Sequence, residues 1–431
     1  MPTRHLHPAA FAMLCVSALG GPLTAAQPDA KLLITGGRFL DVAVGRYLDG
    51  RDLLLAGGRI ERIAPAGQLE APTGARRIEA EGLLILPGLI DLHTHLLLHP
   101  YSEAAWDDQV LKEPVELRTI RAAVAARQTV EAGFTTIRDL GTEGAGFADV
   151  GLRQAVELGL IPGPRIIAVT RAIVATGCYG PSGFDPRWEL PKGAQVADGV
   201  GGVRIAVREQ IAAGADWIKV YADYSRRSGD PATPTFSQEE LNAIVEEARS
   251  AGLKVAAHAT VDEAIRRSVL AGVATIEHGY QASDDVLAMM RDRGVVLCPT
   301  LAASEAMARY AGWTSDQPDH PRIADAKAMF KRALQSGVGI ACGSDAGVFA
   351  HGENVRELEL MVEYGMSPPD AVRAATMVAA GVIGQADKLG QIKEGYAADL
   401  ILVKGDPLLD ITALRQPSLV VKSGAIVMDR R

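Results

Sequence analysis

Pro87-Gly88-Leu89-Ile90-Asp91-Leu92-His93-Thr94-His95 is an apolar run that begins with a Pro-Gly turn and ends in two histidines two residues apart. Side chains alternate between the two faces of a β-strand, so His93 and His95 leave the same face. Two neutral imidazoles on one face are a natural first half of a divalent-metal site. Because His-x-His is a short motif, an ordinary pair of core or surface histidines is an equal alternative unless further ligands follow.

Downstream of this stretch, residues 88–391 alternate between short apolar segments and amphipathic segments rich in Ala, Glu and Arg. The predicted strands are Thr135–Arg138, Arg165–Ala168, Trp217–Val220, Val255–Ala257, Ala274–Glu277, Val295–Cys298 and Gly339–Cys342. The predicted helices include Thr119–Ala132, Val203–Ala213, Gln238–Ala251, Asp262–Ala271 and Ile323–Gln335, several of which end at glycine, a common C-terminal cap. With the first strand, the pattern predicts an α/β protein whose core is a (β/α)8 TIM barrel. A doubly wound open sheet is the alternative, but no Gly-x-Gly-x-x-Gly turn follows the first strand.

The two ends of the chain predict a second, smaller domain. Residues 27–87 and 392–431 read as short β-strands separated by glycine turns such as Gly36-Gly37 and Gly57-Gly58. Two unrelated terminal hairpins would each have little core of their own. The pattern therefore favours one composite β-sandwich built from both termini, beside a barrel over residues 88–391.

Residues 1–26 have the layout of a secretory signal peptide. Arg4 precedes the apolar stretch from Pro8 to Leu23, and Thr24-Ala25-Ala26 supplies small residues for cleavage. A hydrophobic start of the mature fold is the alternative. The pattern predicts a secreted or periplasmic protein. The three later cysteines are an odd number without Cys-x-x-Cys spacing, which favours buried thiols although one disulfide is possible.

Composition excludes several classes of partner. The formal charge of -8 over 431 residues provides no basic surface for nucleic acid, and no Lys/Arg cluster indicates binding to an anionic membrane. No apolar run after the N-terminal segment is long enough to span a bilayer. The composition therefore favours a small-molecule partner over nucleic acid or a membrane surface.

Further candidate metal ligands follow the later predicted strands. A lone histidine at a strand end is more often structural than a ligand, but here four of the nine histidines occupy such positions, with an aspartate after the last strand. In a barrel these positions meet at the face that carries the chemistry. The candidates are His93, His95, Lys219, His258, His278 and Asp345.

This set resembles the binuclear metal site of the amidohydrolase superfamily, and the likeness extends from the quoted stretch to Ala397-Ala398-Asp399-Leu400-Ile401-Leu402-Val403. The sequence is most similar to the imidazolonepropionase-like branch, which contains secreted Xaa-Pro dipeptidases and ochratoxinase-type amidases. Ile218-Lys219-Val220-Tyr221, Gly343-Ser344-Asp345-Ala346-Gly347 and the run from Gly352 to Leu360 carry this narrower likeness.

The resemblance implies a mechanism. Lys219 would be carboxylated by carbon dioxide to a carbamate that bridges two divalent ions, most simply Zn²⁺. His93, His95 and Asp345 would hold one ion, and the other would be held by His258 and His278. A hydroxide shared by the two ions would attack the scissile carbonyl, and Asp345 would pass its proton to the leaving amine. Related enzymes also suggest a homo-oligomer.

Three further residues are candidates for substrate contacts. Tyr221 shares a strand face with Lys219 and can donate its hydroxyl to a substrate, or simply pack at the strand end. His351 can polarise the substrate or cap the following helix. Where related enzymes read Thr-Gly-Gly-His-Gly, this chain reads Thr176-Gly177-Cys178-Tyr179-Gly180, and Tyr179 can favour an aromatic acyl group by ring packing. Arg226 and Arg227 can pair with a carboxylate, although a solvated loop is the simpler interpretation.

The predicted reaction is hydrolysis of an amide bond that releases a C-terminal amino acid. The acyl side would be an aromatic acid, as in ochratoxin-like N-acyl-phenylalanines, or an amino acid, as in Xaa-Pro dipeptides. Tyr179 favours the first option. Ring opening of a cyclic amide such as an imidazolone is an alternative. A non-enzymatic scaffold on the same fold is disfavoured because all six candidate ligands are present.

Overall fold

The computed structural model describes residues 31–185, 187–225 and 230–431. The predicted signal peptide at residues 1–26, with Cys15, and the arginines at 226 and 227 lie outside the described residues. Within these ranges no helix is both long and apolar enough to cross a membrane. Strands and helices alternate through the middle of the chain, which confirms the predicted α/β class.

The secondary structure comprises short strands and mostly short helices. The strands are β1 Leu32–Thr35, β2 Arg38–Asp41, β3 Arg46–Leu48, β4 Arg51–Ala56, β5 Arg59–Pro65, β6 Arg76–Glu79, β7 Leu84–Pro87, β8 Leu89–Thr94, β9 Phe134–Asp139, β10 Arg165–Ala168, β11 Ile173–Val174, β12 Gln195–Val196, β13 Ile218–Tyr221, β14 Asp223–Tyr224, β15 Thr233–Pro234, β16 Val255–Ala259, β17 Thr275–His278, β18 Val296–Cys298, β19 Leu400–Val403, β20 Leu419–Lys422 and β21 Ala425–Asp429. The helices are α1 Trp106–Lys112, α2 Val115–Glu131, α3 Ala148–Glu157, α4 Gly199–Ala212, α5 Gln238–Ser250, α6 Asp262–Ala271, α7 Asp284–Arg293, α8 Leu301–Tyr310, α9 Pro321–Ser336, α10 Val355–Glu363, α11 Pro368–Arg373 and α12 Ala379–Val382. A π-helical turn spans Ala374–Val378, and a 3₁₀ turn spans Ile411–Arg415.

Strands from both ends of the chain form two sheets that share one hydrophobic core. A four-stranded sheet has the order β5-β4-β1-β6, and a six-stranded sheet has the order β21-β20-β19-β7-β2-β3. In the second sheet, β19 from the C-terminal part pairs antiparallel with β7 from the N-terminal part, with Leu402 opposite Ile85. Leu53 of the first sheet and Ile85 and Leu400 of the second belong to one buried cluster. Burying both apolar faces together stabilises strands that would be marginal alone.

The central strands are parallel and form two sheets, β10-β9-β8 and β12-β11-β13-β16-β17-β18. The segment 340–346 lies between them, with parallel bridges from Ile340 to Leu297 and from Ala346 to Thr94. The predicted strand at residues 339–342 is therefore a correction, because within these residues only Ile340 forms a bridge. The Ala341 N–H still donates to the carbonyl of Leu297, but the Cys342 N–H donates to the carbonyl of Ala374 at 3.0 Å, so the pairing with β18 ends there.

The helices follow the predicted capping signals closely. Gly272, Gly294 and Gly337 end α6, α7 and α9 in the left-handed conformation, with φ of 93°, 68° and 72°. Helix α5 begins at Ser237 in a capping box with Glu240. Helices α2 and α4 each begin four residues earlier than predicted, because the apolar periodicity that marks a helix does not reach its first turn.

Candidate metal centre

The six predicted metal-binding side chains lie together at the carboxyl ends of the parallel strands. Imidazole ring centroids are 5.3 Å apart for His93 and His95, and 5.2 Å apart for His93 and His278. The rings of His258 and His278 are 4.5 Å apart. Asp345 Oδ1 lies 3.6 Å from His93 Nε2 and 3.3 Å from His95 Nε2. Ligand atoms of His93, His278 and Asp345 all lie within 4.8 Å of one another, which is close enough to hold a metal ion.

Hydrogen bonds fix the orientation of three of the four imidazoles. His93 Nδ1 lies 2.9 Å from Glu277 Oε2, and His95 Nδ1 lies 3.0 Å from the carbonyl oxygen of Gly141. His278 Nδ1 lies 2.7 Å from Thr300 Oγ1. An acceptor at Nδ1 holds the proton there and leaves the Nε2 lone pair for a metal, as is usual for ligating histidines. The donor set therefore fits divalent ions.

His258 has a different partner. Its Nε2 lies 3.4 Å from Asp223 Oδ1, and its ring stacks on Tyr221 with the centroids 4.5 Å apart. Asp223 is itself held by the N–H groups of Thr260 and Val261, which donate to Oδ2. With Nε2 directed at Asp223, Nδ1 is the nitrogen of His258 that remains for a metal.

Lys219 is a buried amine without a hydrogen-bond partner among the described residues. The side chain is 1% exposed, and Nζ lies 5.2 Å from the centre of the Tyr221 ring. Burial lowers the pKa of Lys219 because the charged ammonium is costly to desolvate. An unpartnered amine beside four imidazoles fits a group that is chemically modified or engaged by a bound ion.

Burial and neighbouring charges set the protonation of the ligands. Burial lowers the pKa of His93 and of His278 well below the ordinary value, so both rings are neutral and able to bind a metal. Burial alone would lower the pKa of His95 too, but its hydrogen bond to Asp345 and the charge of Glu143 raise it to about 9, so a metal ion that binds at Nε2 has to displace the proton shared with Asp345. Burial opposes ionisation of Asp345, yet His93 and His95 lower its pKa overall. Asp345 is therefore the negatively charged member of the cluster.

The Glu277 carboxylate that contacts His93 also forms a buried ion pair with Arg138. Arg138 Nη2 donates to Glu277 Oε1 at 2.8 Å, and both side chains are fully buried. The guanidinium also donates from Nε to the carbonyl of Leu92 at 2.7 Å. Sequence reasoning missed Glu277, because strict alternation would place it on the opposite face from its neighbour His278. The left-handed backbone of His278, with φ of 74°, ends the alternation and allows both side chains to face inward.

Asp91 ties the first strand to the segment that carries Asp345. Its carboxylate accepts from the N–H of His93 and the N–H of Ser344, both at 3.0 Å, and from Asn354 Nδ2 at 2.8 Å. Close packing holds the same segment, since a Cβ at Gly343 would lie 3.0 Å from the His93 Cβ. Asp345 has φ of 64°, a left-handed conformation that is strained for a non-glycine residue and typical of functional sites.

Four aromatic residues form a wall beside the metal cluster: Trp106, Tyr179, Tyr221 and Tyr224. The Tyr179 ring lies 4.2 Å from Tyr221, 4.9 Å from Trp106 and 5.5 Å from Tyr224, between centroids. The Tyr179 hydroxyl donates to Glu143, whose Oε2 also accepts from Trp106 Nε1 at 2.8 Å. Tyr179 therefore presents its ring, with its hydroxyl already engaged. Trp106 and Glu143 were not identified from the sequence, because they come from separate elements, the start of α1 and the loop after β9.

His351 lies elsewhere. Its Nε2 is 3.1 Å from the carbonyl oxygen of Leu98, and burial lowers its pKa to about 4. Helix α10 begins after Asn354 without a side-chain cap, so His351 does not cap it. The structure thus places this ring against the backbone that follows β8 rather than among the metal-binding side chains.

Thr300→Val is expected to weaken Zn²⁺ binding about 10- to 100-fold, the usual effect of losing a partner that orients a metal ligand. The Thr300 hydroxyl donates to the Pro299 carbonyl at 2.8 Å, so its lone pair accepts from His278 Nδ1. Valine keeps the shape but loses the acceptor. Competition with a chromogenic zinc chelator measures the affinity.

Thr129→Val is the matched control, because the buried Thr129 hydroxyl has no hydrogen-bond partner among the described residues. Its zinc affinity should equal that of the unmodified chain. Equal affinities for the two valine variants would contradict the role given to Thr300.

Comparison with known proteins agrees with this site. The Amidohydrolase family model matches residues 84–427. Ochratoxinase of Aspergillus niger is 31% identical over 370 residues, which cover 78% of this chain and 73% of that protein. Imidazolonepropionase of Symbiobacterium thermophilum is 26% identical over 427 residues, covering 91% and 93%.

A solved structure of a Xaa-Pro dipeptidase with bound methionine in the active site matches with a TM-score of 0.82 and 33% identity, over 92% of this chain and 99% of that one. The relatives found are those that the sequence motifs predicted, which confirms the predicted superfamily. The chain belongs to the amidohydrolase family and is a hydrolase of C–N amide bonds.

Proposed function

We propose that this protein is a binuclear-metal amidohydrolase that releases a C-terminal amino acid from an N-acyl amino acid or a dipeptide. The observation that carries the proposal is the buried Nζ of Lys219, which has no hydrogen-bond partner among the described residues and whose charge acts on His93, His278 and Asp345. The histidines and Asp345 alone would be sufficient to bind a single metal ion. A lysine in such a place favours a second ion and a bridging ligand.

In this proposal Lys219 reacts as the neutral amine with carbon dioxide. A new N–C bond forms while one C=O π bond of carbon dioxide opens, the nitrogen loses a proton to water, and the resulting carbamate offers two oxygens. His93, His95 and Asp345 would hold one ion, and His258 and His278 the other. Zn²⁺ suits the imidazole-rich donor set, although the oxygen ligands admit other divalent ions.

Two such ions would lower the pKa of a water and polarise a carbonyl oxygen. The chain's own contribution is positioning and proton transfer. Asp345, ionised in the cluster, takes the proton of the attacking water and delivers it to the leaving nitrogen. Tyr221 stacks on His258 and can donate its hydroxyl to the substrate at the edge of the site.

The aromatic wall favours an aromatic acyl group, because ring packing against Tyr179 gives favourable contact for a flat substrate. The likeness to ochratoxinase supports this choice, and the likeness to a Xaa-Pro dipeptidase supports an amino acid as the acyl group instead. Cyclic amide opening is a further alternative, supported by the likeness to imidazolonepropionase. No observation favours the alternative of a non-enzymatic scaffold.

The test is release of free amino acid, measured by mass spectrometry after zinc loading, from dipeptides and N-aroyl amino acids. Faster release from N-aroyl-phenylalanines than from Xaa-Pro peptides supports the aromatic acyl proposal, and the reverse order makes the protein a dipeptidase. Release from neither group overturns the proposed reaction and leaves cyclic amides as the class to assay.

Tyr179→Ala is expected to lower kcat/KM for N-aroyl amino acids about 2- to 10-fold relative to Xaa-Pro dipeptides, because one aromatic contact contributes about 0.5–1.5 kcal/mol beyond its buried area. Trp188→Ala is the control, since Trp188 lies in the same long loop but is 62% exposed. An unchanged preference in the Tyr179 variant would remove the wall from the explanation of specificity.

We propose the finer architecture and location on the same basis. Residues 88–391 form a closed (β/α)8 barrel, supported by the bridges that segment 340–346 makes on both sides. Residues 27–87 and 392–431 form a β-sandwich, supported by their shared core. The N-terminal 26 residues direct the chain to the periplasm or the exterior, and the mature chain assembles as a homo-oligomer.

A further inference from the structure

A cavity of about 320 Å³ lies between the two terminal sheets and the amino ends of the parallel strands. This cavity is distant from the candidate metal centre. Arg165, the first residue of β10, lines the cavity, whereas the candidate metal ligands lie at the opposite, carboxyl ends of the parallel strands. Its polar lining comes from Gly58, Arg59, Arg165, Gln385, Lys388 and Ser423.

Positive charge exceeds negative charge at this cavity. Arg165 pairs with Asp399 through Nη1 and Oδ2 at 2.8 Å, and its Nη2 lies 3.4 Å from Ser423 Oγ. Arg59 donates to a carbonyl oxygen, and within residues 31–185, 187–225 and 230–431 neither Arg59 nor Lys388 has an ion pair. Three cations thus face the cavity, and the Asp399 carboxylate is already used by Arg165 and by the N–H of Ser423.

Lys422 reports the same imbalance from one residue away. Burial is the main reason that the pKa of Lys422 is lowered to about 8; the charge of Arg165 lowers it in the same direction, and the charges of Asp399 and Glu157 oppose the shift. The contribution of Arg165 agrees with the positive charge at the cavity wall. A bound anion would compensate this charge.

The frame of the cavity is rigid. The turn at Gly57–Gly58 meets the turn at Ser423–Gly424, where Gly58 and Gly424 have φ of 74° and 77°. Ala398 joins them: its N–H donates to Gly58 O and its carbonyl accepts from Gly424 N, both at 2.9 Å. A Cβ at Gly424 would lie 3.2 Å from the Gly58 Cα, so the two turns approach as closely as glycine permits.

We propose that this cavity binds a small oxyanion with two or more negative charges, such as phosphate or a short dicarboxylate. The two guanidinium groups offer paired N–H donors for oxyanion oxygens, and Lys388 adds a point charge. Ser423 and Gln385 supply neutral donors at the wall. An apolar ligand would bury these charges at a cost, and a cation would be repelled.

This inference is independent of the amide hydrolysis proposed above, because it concerns the opposite ends of the strands. The bound anion would join the start of β10, the β20–β21 turn and the segment before residue 389. It would therefore stabilise the contact between the terminal sheets and the parallel strands without touching the substrate.

The experiment is calorimetric titration of the full metal-loaded chain with sodium phosphate and, separately, sodium succinate at constant ionic strength. The double variant R59Q/K388Q should raise the Kd at least about 10-fold, since each charge-assisted hydrogen bond contributes about 1.5–3 kcal/mol. The matched control R293Q/K331Q removes one arginine and one lysine from exposed positions outside the cavity. It should leave the Kd unchanged.

The outcomes are decisive. Binding of phosphate alone or of succinate alone supports the site and identifies the oxyanion it takes. No binding of either at about 20 mM, where a site with millimolar affinity would be filled, overturns the proposal. An equal Kd for R59Q/K388Q and the unmodified chain also overturns the proposal. An equal increase of the Kd in R59Q/K388Q and in the control R293Q/K331Q overturns it as well. R59Q/K388Q should hydrolyse amides at the rate of the unmodified chain. After a chelator has removed the metals, the reduction in the heat of anion binding caused by R59Q/K388Q should be the same as in the metal-loaded protein. These two results separate this proposal from the catalytic one.

Discussion

Lys219→Ala is expected to bind fewer metal ions and to lose a factor of about 10³ or more in kcat/KM, equivalent to about 4 kcal/mol of transition-state stabilisation. The lysine is the one member of the cluster that is neither an imidazole nor a carboxylate, the side chains that usually bind divalent ions in such sites. If it carries the carbamate, alanine removes the bridging oxygens while leaving every imidazole in place. The two ions would then lose their common ligand.

Two measurements follow the loss separately. Elemental analysis after zinc loading gives the metal content per chain, and steady-state hydrolysis of the best amide substrate gives kcat/KM. A short carboxylic acid added to the alanine variant should restore part of both, since it can occupy the space of the missing carbamate. This restoration distinguishes a lost bridging ligand from a damaged fold.

Lys254→Ala serves as the control. Lys254 directly precedes β16, and its Nζ donates to the carbonyl of Val382 at 2.7 Å, at the other end of the strand from His258. It should keep both metals and full activity. A Lys219→Ala protein with two metals and unchanged kcat/KM would rule out the bridging role.

The clustering of the six candidate ligands was predictable because it depends on local rules, whereas their binding of metal stays a prediction. Alternation along a strand predicts that His93 and His95 share one face of their strand, and that Lys219 and Tyr221 share one face of theirs. Parallel strands then bring their carboxyl ends to the same edge of the sheet. The predicted strand over Arg165–Ala168 and helix over Asp262–Ala271 match the structure at both ends. These segments carry strong periodicity or clear caps.

The residues that support the ligands were not predictable, because they depend on contacts between distant strands or on unusual backbone. Glu277 reaches His93 because the chain turns left-handed at His278, and Thr300, with φ of 51°, contacts His278 from the start of α8, just after the next strand. The predicted eighth strand failed for a similar reason. One of its hydrogen bonds, from the Cys342 N–H, goes to the carbonyl of Ala374 rather than to a neighbouring strand, which no pattern within residues 339–342 can indicate.

Glu277→Gln is expected to destabilise the fold by about 3–5 kcal/mol, the cost of leaving a buried partner charge uncompensated. Arg138 and Glu277 are each 0% exposed, so no water can replace the lost carboxylate. The free energy of unfolding in urea, measured on metal-free protein, gives this change. Glu247→Gln is the matched control, because Glu247 pairs with Arg208, whose side chain is 64% exposed. It should cost no more than about 1 kcal/mol.

The same substitution should also weaken zinc binding about 10- to 100-fold, because the partner of a ligating histidine sets its tautomer. The carboxylate gives one oxygen to Arg138 and the other to His93 Nδ1. Glutamine has one acceptor oxygen, so its NH₂ group must face either the guanidinium or the imidazole. Facing His93, it would favour the tautomer protonated at Nε2, which cannot bind a metal. Equal stability and equal zinc affinity in the Glu277 and Glu247 variants would show that the buried pair neither stabilises the strands nor orients His93.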